Sequence, residues 1–187
     1  SMIAAVPGVK DLAMTTNGIL LSRFANDLAR AGLMRINISL DTLDPEKFAR
    51  VSRGGDLSKV LEGIHAASQA GLNPVKINCV VKESASEPDA QAVKYYCESH
   101  ALEARFIRQM DLKTGSFGIV EGGSGGDCSH CNRLRLTSDG KVKPCLFSDL
   151  SYNIRELGIQ TAIEMALDNK PEKGSMSQLG EFYQIGG

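Results

Sequence analysis

The sequence predicts an α/β fold built on a parallel sheet, and three observations carry this prediction. Between residues 9 and 111, short apolar runs alternate with amphipathic stretches, which is the pattern of repeated strand–helix units. The 187 residues are 42% hydrophobic and 23% charged, a composition typical of a globular protein with a sizeable core. After residue 111 glycines become frequent, which indicates a loop and then a separate unit.

Four strand–helix units follow one another before this change. Ser22 is the predicted N-cap of one helix, Asp44 and Pro45 form a predicted cap and first-turn pair, and a longer helix is predicted to start at Asp56. The predicted strands cover residues 10–14, 35–40, 75–81 and 104–110, and the predicted helices cover 22–32, a short segment after 44, 56–71, 87–100 and, near the end of the chain, 153–169. Four units are too few for a closed barrel of about 250 residues. They predict a small open sheet or part of a larger barrel.

Polar residues follow one face of two neighbouring strands. The second strand places Asn37, Ser39 and Asp41 on one face, and the third strand places Lys76 and Asn78 likewise. A parallel strand covered on both sides is normally hydrophobic almost throughout. The polar face therefore indicates a hydrated interior or a site, with an exposed sheet face as the alternative.

Charge and cysteine content limit the kinds of partner. A net charge of −1 gives no support for nucleic-acid or membrane-surface binding. The sequence has neither an 18-residue apolar run nor a recognisable export signal, and its five unevenly spaced cysteines predict reduced thiols in a cytoplasmic protein. Ser1 before Met2 is interpreted as a tag-cleavage remnant on a truncated product.

The strongest chemical signal is a group of three cysteines. Cys128 and Cys131 form a C-x2-C pair, and Cys145 follows after thirteen residues. The alternating segment between them contains Asp139-Gly140, which predicts a hairpin with a two-residue turn. That register pairs Leu134 with Cys145, so the three thiols are expected to converge on a metal.

The residues alone leave the metal open. Zinc prefers four ligands, with His130 or Asp127 as the fourth, whereas three thiolates on an iron–sulfur cluster leave one iron open. A redox dithiol is the third interpretation. Arg133 and Arg135 share a hairpin face and suit phosphate or carboxylate binding, although a solvated basic strand face is the alternative.

Several segments together resemble one family. They are 14–21 (MTTNGILL), 35–41 (RINISLD), 75–78 (VKIN), 105–111 (RFIRQMD), the C-x2-C-x13-C group and the terminal Gly-Gly. In this order they resemble the radical S-adenosylmethionine (SAM) GTP 3′,8-cyclases of molybdenum cofactor biosynthesis. The resemblance implies that residues 1–114 are the last four units of a partial (β/α) barrel of the radical SAM type. Residues 115–187 would hold a glycine-rich loop, an auxiliary [4Fe–4S]-binding region and a Gly-Gly tail.

The resemblance also implies roles for individual residues. GTP would be bound by Thr15, Lys76, Arg133 and Arg135, SAM by Ser39 and Met110, and the auxiliary cluster by Cys128, Cys131 and Cys145, with further contributions from Arg105, Gly186 and Gly187. Thr15, Ser39, Lys76 and Met110 are expected at or near the carboxyl ends of strands, where such barrels carry their sites. No residue is assigned as a general acid or base.

The implied reaction joins C8 of guanine to C3′ of ribose, starting from a 5′-deoxyadenosyl radical. It converts GTP to (8S)-3′,8-cyclo-7,8-dihydroguanosine 5′-triphosphate, which cyclic pyranopterin monophosphate synthase would take up next. The chain's contribution would be positioning of the substrate rather than acid–base catalysis.

Two departures from the family qualify these expectations. The chain has no C-x3-C-x2-C motif, so a second [4Fe–4S] cluster is expected only in a missing N-terminal part, and this piece is expected to be inactive alone. Only 17 residues separate Met110 from Cys128, and the Gly-rich stretch there is either an engineered join or a natural short form.

An open sheet edge predicts a homodimer. The alternatives are another radical SAM enzyme with an auxiliary cluster and a zinc-bound binding module.

Overall fold

The computed structural model describes residues 1–111, 117–123 and 125–175. The chain divides into two compact units. The first consists of Ser1–Arg108 and Val120–Gly123, and the second of Gln109–Ile119 and Ser124–Gly187. The boundary expected between residues 114 and 115 lies outside the described residues.

The first unit alternates strands and helices, which confirms the predicted α/β class. Its elements in chain order are β1 (Ala13–Thr16), α1 (Leu21–Arg30), β2 (Arg35–Ser39), α2 (Pro45–Val51), α3 (Leu57–Gln69), β3 (Val75–Val81), α4 (Pro88–Ser99) and β4 (Glu103–Arg108). The four strands form one parallel sheet in the order β1-β2-β3-β4. This arrangement is consistent with a partial (β/α) barrel.

The core of the first unit lies on the apolar face of this sheet. Ile36, Ile38 and Ile77 are fully buried there, as the period-two pattern predicts. Val60 and Ile64 of α3 belong to the same core cluster. Because the helices cover this face, the opposite face of the strands carries the polar side chains.

The second unit is built on a small antiparallel sheet. Its elements are β5 (Arg135–Leu136), β6 (Lys141–Lys143), β7 (Tyr152–Asn153), α5 (Ile154–Leu157) and α6 (Ile159–Asp168). Val142 of β6 packs with Ala162 and Ala166 of α6 in a small core. The helix expected over 153–169 is divided at Gly158, whose φ of +81° interrupts the helical backbone.

The hairpin register predicted around Asp139-Gly140 is wrong by one residue. Leu136 pairs with Val142, and the Thr137 hydroxyl accepts the Lys141 N–H at 2.9 Å. The loop therefore holds three residues and ends at Gly140, whose φ is +86°. Continued by two residues, the observed register places Arg133 rather than Leu134 opposite Cys145.

Three element boundaries in the first unit also differ from the predictions. β1 lies at 13–16 rather than 10–14, because pairing with β2 begins at Ala13 and Arg35. Helix α1 starts at Leu21, whose N–H donates to the Gly18 carbonyl at 3.0 Å, so Ser22 is not the N-cap. β4 ends at Arg108 rather than at residue 110.

Part of the Gly-rich stretch pairs with the sheet instead of forming only a loop. Phe106 and Glu121 exchange backbone hydrogen bonds of 3.0 and 3.1 Å in an antiparallel bridge. Residues 120–123 thereby lie along the edge of β4. Over the described part of the chain, the longest helix has 13 residues, and none combines the length and apolarity needed to cross a membrane.

Candidate functional site

The polar face of the four-stranded sheet carries a row of side chains at one level. Strand register aligns Thr15, Asn37, Lys76 and Glu103 on β1 to β4. The Asn37 amide donates to the Thr15 hydroxyl at 3.3 Å, and the Lys76 ammonium forms an ion pair with Glu103. In this row, the positive charge of Lys76 on β3 is therefore balanced by Glu103 on the neighbouring strand β4.

A second row lies one step further along the strands. Register aligns Ser39, Asn78 and Arg105 there. The buried side-chain oxygens of Asn37 and Asn78 accept no hydrogen bond from the described part of the chain. Because an unsatisfied buried acceptor is costly, the two oxygens indicate that this face is suited to a ligand with hydrogen-bond donors.

The position of Lys76 differs from the expectation. Lys76 is the second residue of β3, so it lies near the amino end of the strand. Thr15 and Ser39 lie at or next to the carboxyl ends of β1 and β2, as expected. Alternation along a strand determines the face on which a side chain lies but not how far the residue is from the carboxyl end of the strand. The expectation for Lys76 was wrong for this reason.

A cleft of about 280 Å³ opens beside the carboxyl ends of β1 and β2, near the lower end of the size range of small-molecule pockets. It is lined by Asn17, Ile19, Ser39, Asp41, Thr42, Phe48, Val51 and Ser52. Burial raises the pKa of Asp41, although its carboxylate accepts the Val80 N–H at 2.8 Å. Ser39 therefore lines a cleft of mixed character, with polar side chains beside the apolar ones of Ile19, Phe48 and Val51. Met110, the other residue expected at the SAM site, belongs to the second unit and is 39% exposed.

The second unit has its own cleft, which we call the cysteine cleft. It is lined by Phe117, Gly126, Asp127, Cys128, Cys131, Arg133, Arg135, Cys145, Leu146 and Phe147. Cys128 is exposed, whereas Cys131 and Cys145 are half-buried. The hairpin and the C-x2-C turn thus bring three thiols and two guanidinium groups to one concave surface.

The surroundings of Cys131 differ from those of two buried cysteines in the first unit. The pKa of the Cys131 thiol is lowered, first by the Arg133 backbone N–H and then by the charges of Lys170, Arg133 and Arg135. Burial instead raises the pKa of Cys79 to about 12 and that of Cys97 to about 11. The surroundings of Cys131 therefore favour its thiolate, while the core of the first unit favours protonated thiols at Cys79 and Cys97.

The C-x2-C turn is braced by a small polar group. Ser129 donates to Asp127 at 2.7 Å, and His130 Nδ1 lies 2.9 Å from the same carboxylate. These hydrogen bonds lower the pKa of Asp127. The Cys131 N–H donates to the Cys128 carbonyl at 3.2 Å, which closes the turn.

The chemistry of the cysteine cleft fits a thiolate-ligated cluster. In the described ranges, no three His, Cys, Asp or Glu side chains are already arranged as a metal-binding group. The donor set nevertheless consists of three thiols beside cations, and iron–sulfur clusters are bound by cysteine thiolates. Cys128, Cys131 and Cys145 are the residues that would hold such a group.

Sequence reasoning missed two charged residues. Glu103 lies two residues before Arg105 and could be found by extending the period-two face of β4 by one step. Lys170 reaches the cysteine cleft from the end of α6, 39 residues after Cys131, and no local pattern connects the two. Gly186 and Gly187 lie outside the described residues.

Comparison with known proteins gives two family matches. A model of the Radical SAM superfamily matches residues 2–92, and a model described as Molybdenum Cofactor Synthesis C matches residues 57–176. The second match covers most of the second unit and overlaps the first match on the sheet.

Curated relatives match over most of the chain. A GTP 3′,8-cyclase of Alkaliphilus oremlandii is 35% identical over 220 residues, covering 92% of this chain and 69% of that protein. A GTP 3′,8-cyclase of Aliarcobacter butzleri is 36% identical over 234 residues, covering 95% and 72%. These alignments are longer than 187 residues, so the relatives contain internal segments that this chain lacks. The chain belongs to the radical SAM superfamily and, within it, to the GTP 3′,8-cyclase family.

Proposed function

We propose that this chain provides the GTP site and the auxiliary cluster site of a GTP 3′,8-cyclase in molybdenum cofactor biosynthesis. Residues 1–114 would be the carboxyl-terminal part of the barrel, and residues 115–187 the region for the auxiliary cluster. The observation that carries the proposal is the cysteine cleft, where three thiols and two arginines lie together in a chain of this family.

GTP offers two kinds of group to these surfaces. Its triphosphate suits guanidinium groups, which bind phosphate oxygens through two parallel hydrogen bonds, and Arg133 and Arg135 line the cysteine cleft. Lys76 and Arg105 add cations on the polar sheet face. The hydroxyl and amino groups of a nucleotide are the donors that the Asn37 and Asn78 oxygens require.

The cofactors are assigned to two places. Cys128, Cys131 and Cys145 would hold a [4Fe–4S] cluster whose iron without a cysteine ligand offers a coordination position to the substrate. Ser39, in the cleft beside the carboxyl ends of β1 and β2, and Met110 would contact SAM. The residues of the chain then bind and orient GTP, while the radical chemistry belongs to SAM and its cluster. Cyclic pyranopterin monophosphate synthase would consume the product.

Anaerobic reconstitution with iron and sulfide tests the proposal. We expect protein with bound iron and sulfide, an electron paramagnetic resonance (EPR) signal after reduction, and a change in that signal on adding GTP but not ATP. Cys128→Ser should lose the iron. Cys97→Ala, which removes a buried thiol of α4 outside the cleft, should retain it.

Two outcomes would contradict the proposal. One bound zinc and no iron in anaerobically purified protein would identify a zinc-binding module. An iron–sulfur protein whose signal ignores GTP would instead support another radical SAM enzyme with an auxiliary cluster.

A further inference from the structure

Lys170 follows helix α6, and its side chain contacts two residues that line the cysteine cleft and one that adjoins it. Its ammonium donates to the Arg133 carbonyl at 2.9 Å and to the Pro144 carbonyl at 2.7 Å, and its third contact is the Cys131 sulfur at 3.8 Å. A lysine ammonium has three N–H donors, so all three are used in this unit.

These three contacts connect the two segments that carry the thiols. Cys131 and Arg133 belong to the segment of the C-x2-C turn, whereas Pro144 immediately precedes Cys145. The hairpin pairs the same two segments at Arg135–Lys143 and Leu136–Val142. The ammonium group therefore ties the two ligand-bearing segments together at the level of the thiols.

Helix α6 fixes the starting point of this side chain. Ala162 and Ala166 are fully buried against Val142 of the hairpin, and the Lys170 N–H donates to the Leu167 carbonyl at 3.1 Å. A helix anchored on β6 thus determines where the ammonium group lies. Shifting or removing it would change the separation of the thiol-bearing segments and the charge beside one sulfur.

We propose that Lys170 is a positioning residue for the cluster of the cysteine cleft, joining the segments that carry Cys131 and Cys145 and donating to the Cys131 sulfur. This inference rests on the proposed function, since it requires an iron–sulfur cluster at these cysteines. Groups around metal ligands typically change metal retention 10–100-fold, and hydrogen bonds and charge near cluster sulfurs set the reduction potential. A cation that donates to a ligand sulfur stabilises the more negative, reduced cluster.

The test uses reconstituted protein and two readouts other than activity: the rate of iron loss to a chelator, and the midpoint potential from an EPR-monitored redox titration. Lys170→Met should lose iron about tenfold faster than wild type and shift the potential to more negative values. Lys170→Arg keeps the charge and the donors, and should restore most of both properties. Lys173→Met, which removes an exposed lysine three residues further on, is the matched control and should behave as wild type.

The outcomes test the role of Lys170 separately from the proposed function. If wild type holds a cluster and Lys170→Met matches Lys173→Met in both readouts, the role of Lys170 is refuted and the proposed function stands. Wild-type protein that binds no iron refutes both. If Lys170→Met does not fold, Lys170→Gln replaces it, because an amide retains two donors without the charge. A Lys170→Gln protein with unchanged potential and iron retention would overturn the inference.

Discussion

Lys76 and Glu103 face each other across β3 and β4, and their side chains form an ion pair on the polar face of the sheet. The Lys76 side chain is 15% exposed, whereas that of Glu103 is 51% exposed. The carboxylate can therefore turn toward solvent, while the ammonium remains on the sheet face. Because Glu103 and a phosphate are both anions, Glu103 competes with any approaching phosphate for the Lys76 ammonium.

Replacing Lys76 and replacing Glu103 should change the affinity for GTP in opposite directions. Lys76→Met removes a charged donor and should weaken binding about tenfold, as expected for one charge-assisted hydrogen bond. Glu103→Gln removes the competing charge and should strengthen binding several-fold. Titration calorimetry with GTP measures both effects.

Lys59→Met is the matched control for this pair. The Lys59 ammonium also lies 4.0 Å from a carboxylate, that of Asp56, but at the exposed start of α3. Its replacement should leave GTP affinity unchanged. Equal losses of GTP affinity in Lys59→Met and Lys76→Met would mean that the phosphates bind elsewhere than on the polar face of the sheet.

The arginine pair of the cysteine cleft gives a second prediction. Arg135→Lys retains the charge but loses the planar fork that binds phosphate through two hydrogen bonds, so GTP affinity should fall by about tenfold. Arg50→Lys, near the end of α2, is the control and should have no effect. An Arg135→Lys protein with wild-type affinity at moderate salt would show that only net charge matters there.

The sequence predicted the first unit well where local signals and packing agree. Strand β3 has its predicted bounds, and Asp44 caps α2 as expected, because its carboxylate accepts the Glu46 and Lys47 N–H groups. The errors lie where non-local pairing decides: β1 is shifted to match β2, and the Thr137 hydroxyl lengthens the hairpin loop. Lys170 was missed for the same reason, because its partners are distant in sequence.

Thiol alkylation should distinguish Cys131 from the two buried cysteines of the first unit. In native protein without metal, Cys131 should react at lower pH than an ordinary thiol, because its pKa is lowered and thiolate is the reactive form. Cys79 and Cys97, both buried, should remain unmodified until the protein unfolds. Mass spectrometry of peptides after alkylation over a pH series measures this. Modification of Cys79 before Cys131 would contradict the description of the cleft.

The homodimer remains a prediction, and the sheet supports it with one observation. In the described part of the chain, β1 pairs with β2 along one side only, and Leu20, four residues after β1, is 60% exposed. Leu20→Glu should lower the mass measured by light scattering at high concentration, whereas Val51→Glu, equally exposed on α2, should not. A monomeric wild type would contradict the prediction.

The buried thiol of Cys79 should make the first unit less stable in alkali. Its pKa is raised from the ordinary 9.0 to about 12, so the folded protein retains a proton that the unfolded chain has already lost. This contribution to stability is complete below pH 9 and is lost as the pH rises from 9 toward 12. The slope is about 1.4 kcal/mol per pH unit for one such group.

Cys79→Val isolates this contribution, because valine is of similar size and does not titrate. Urea unfolding of both proteins over the alkaline range gives their free energies of unfolding. The difference between wild type and Cys79→Val should be constant below pH 9 and should then shift in favour of the variant as the pH rises. Since all other titrating groups are shared, parallel curves above pH 9 would mean that the Cys79 thiol ionises in the folded protein as readily as in the unfolded chain, contrary to its burial at 1% exposure.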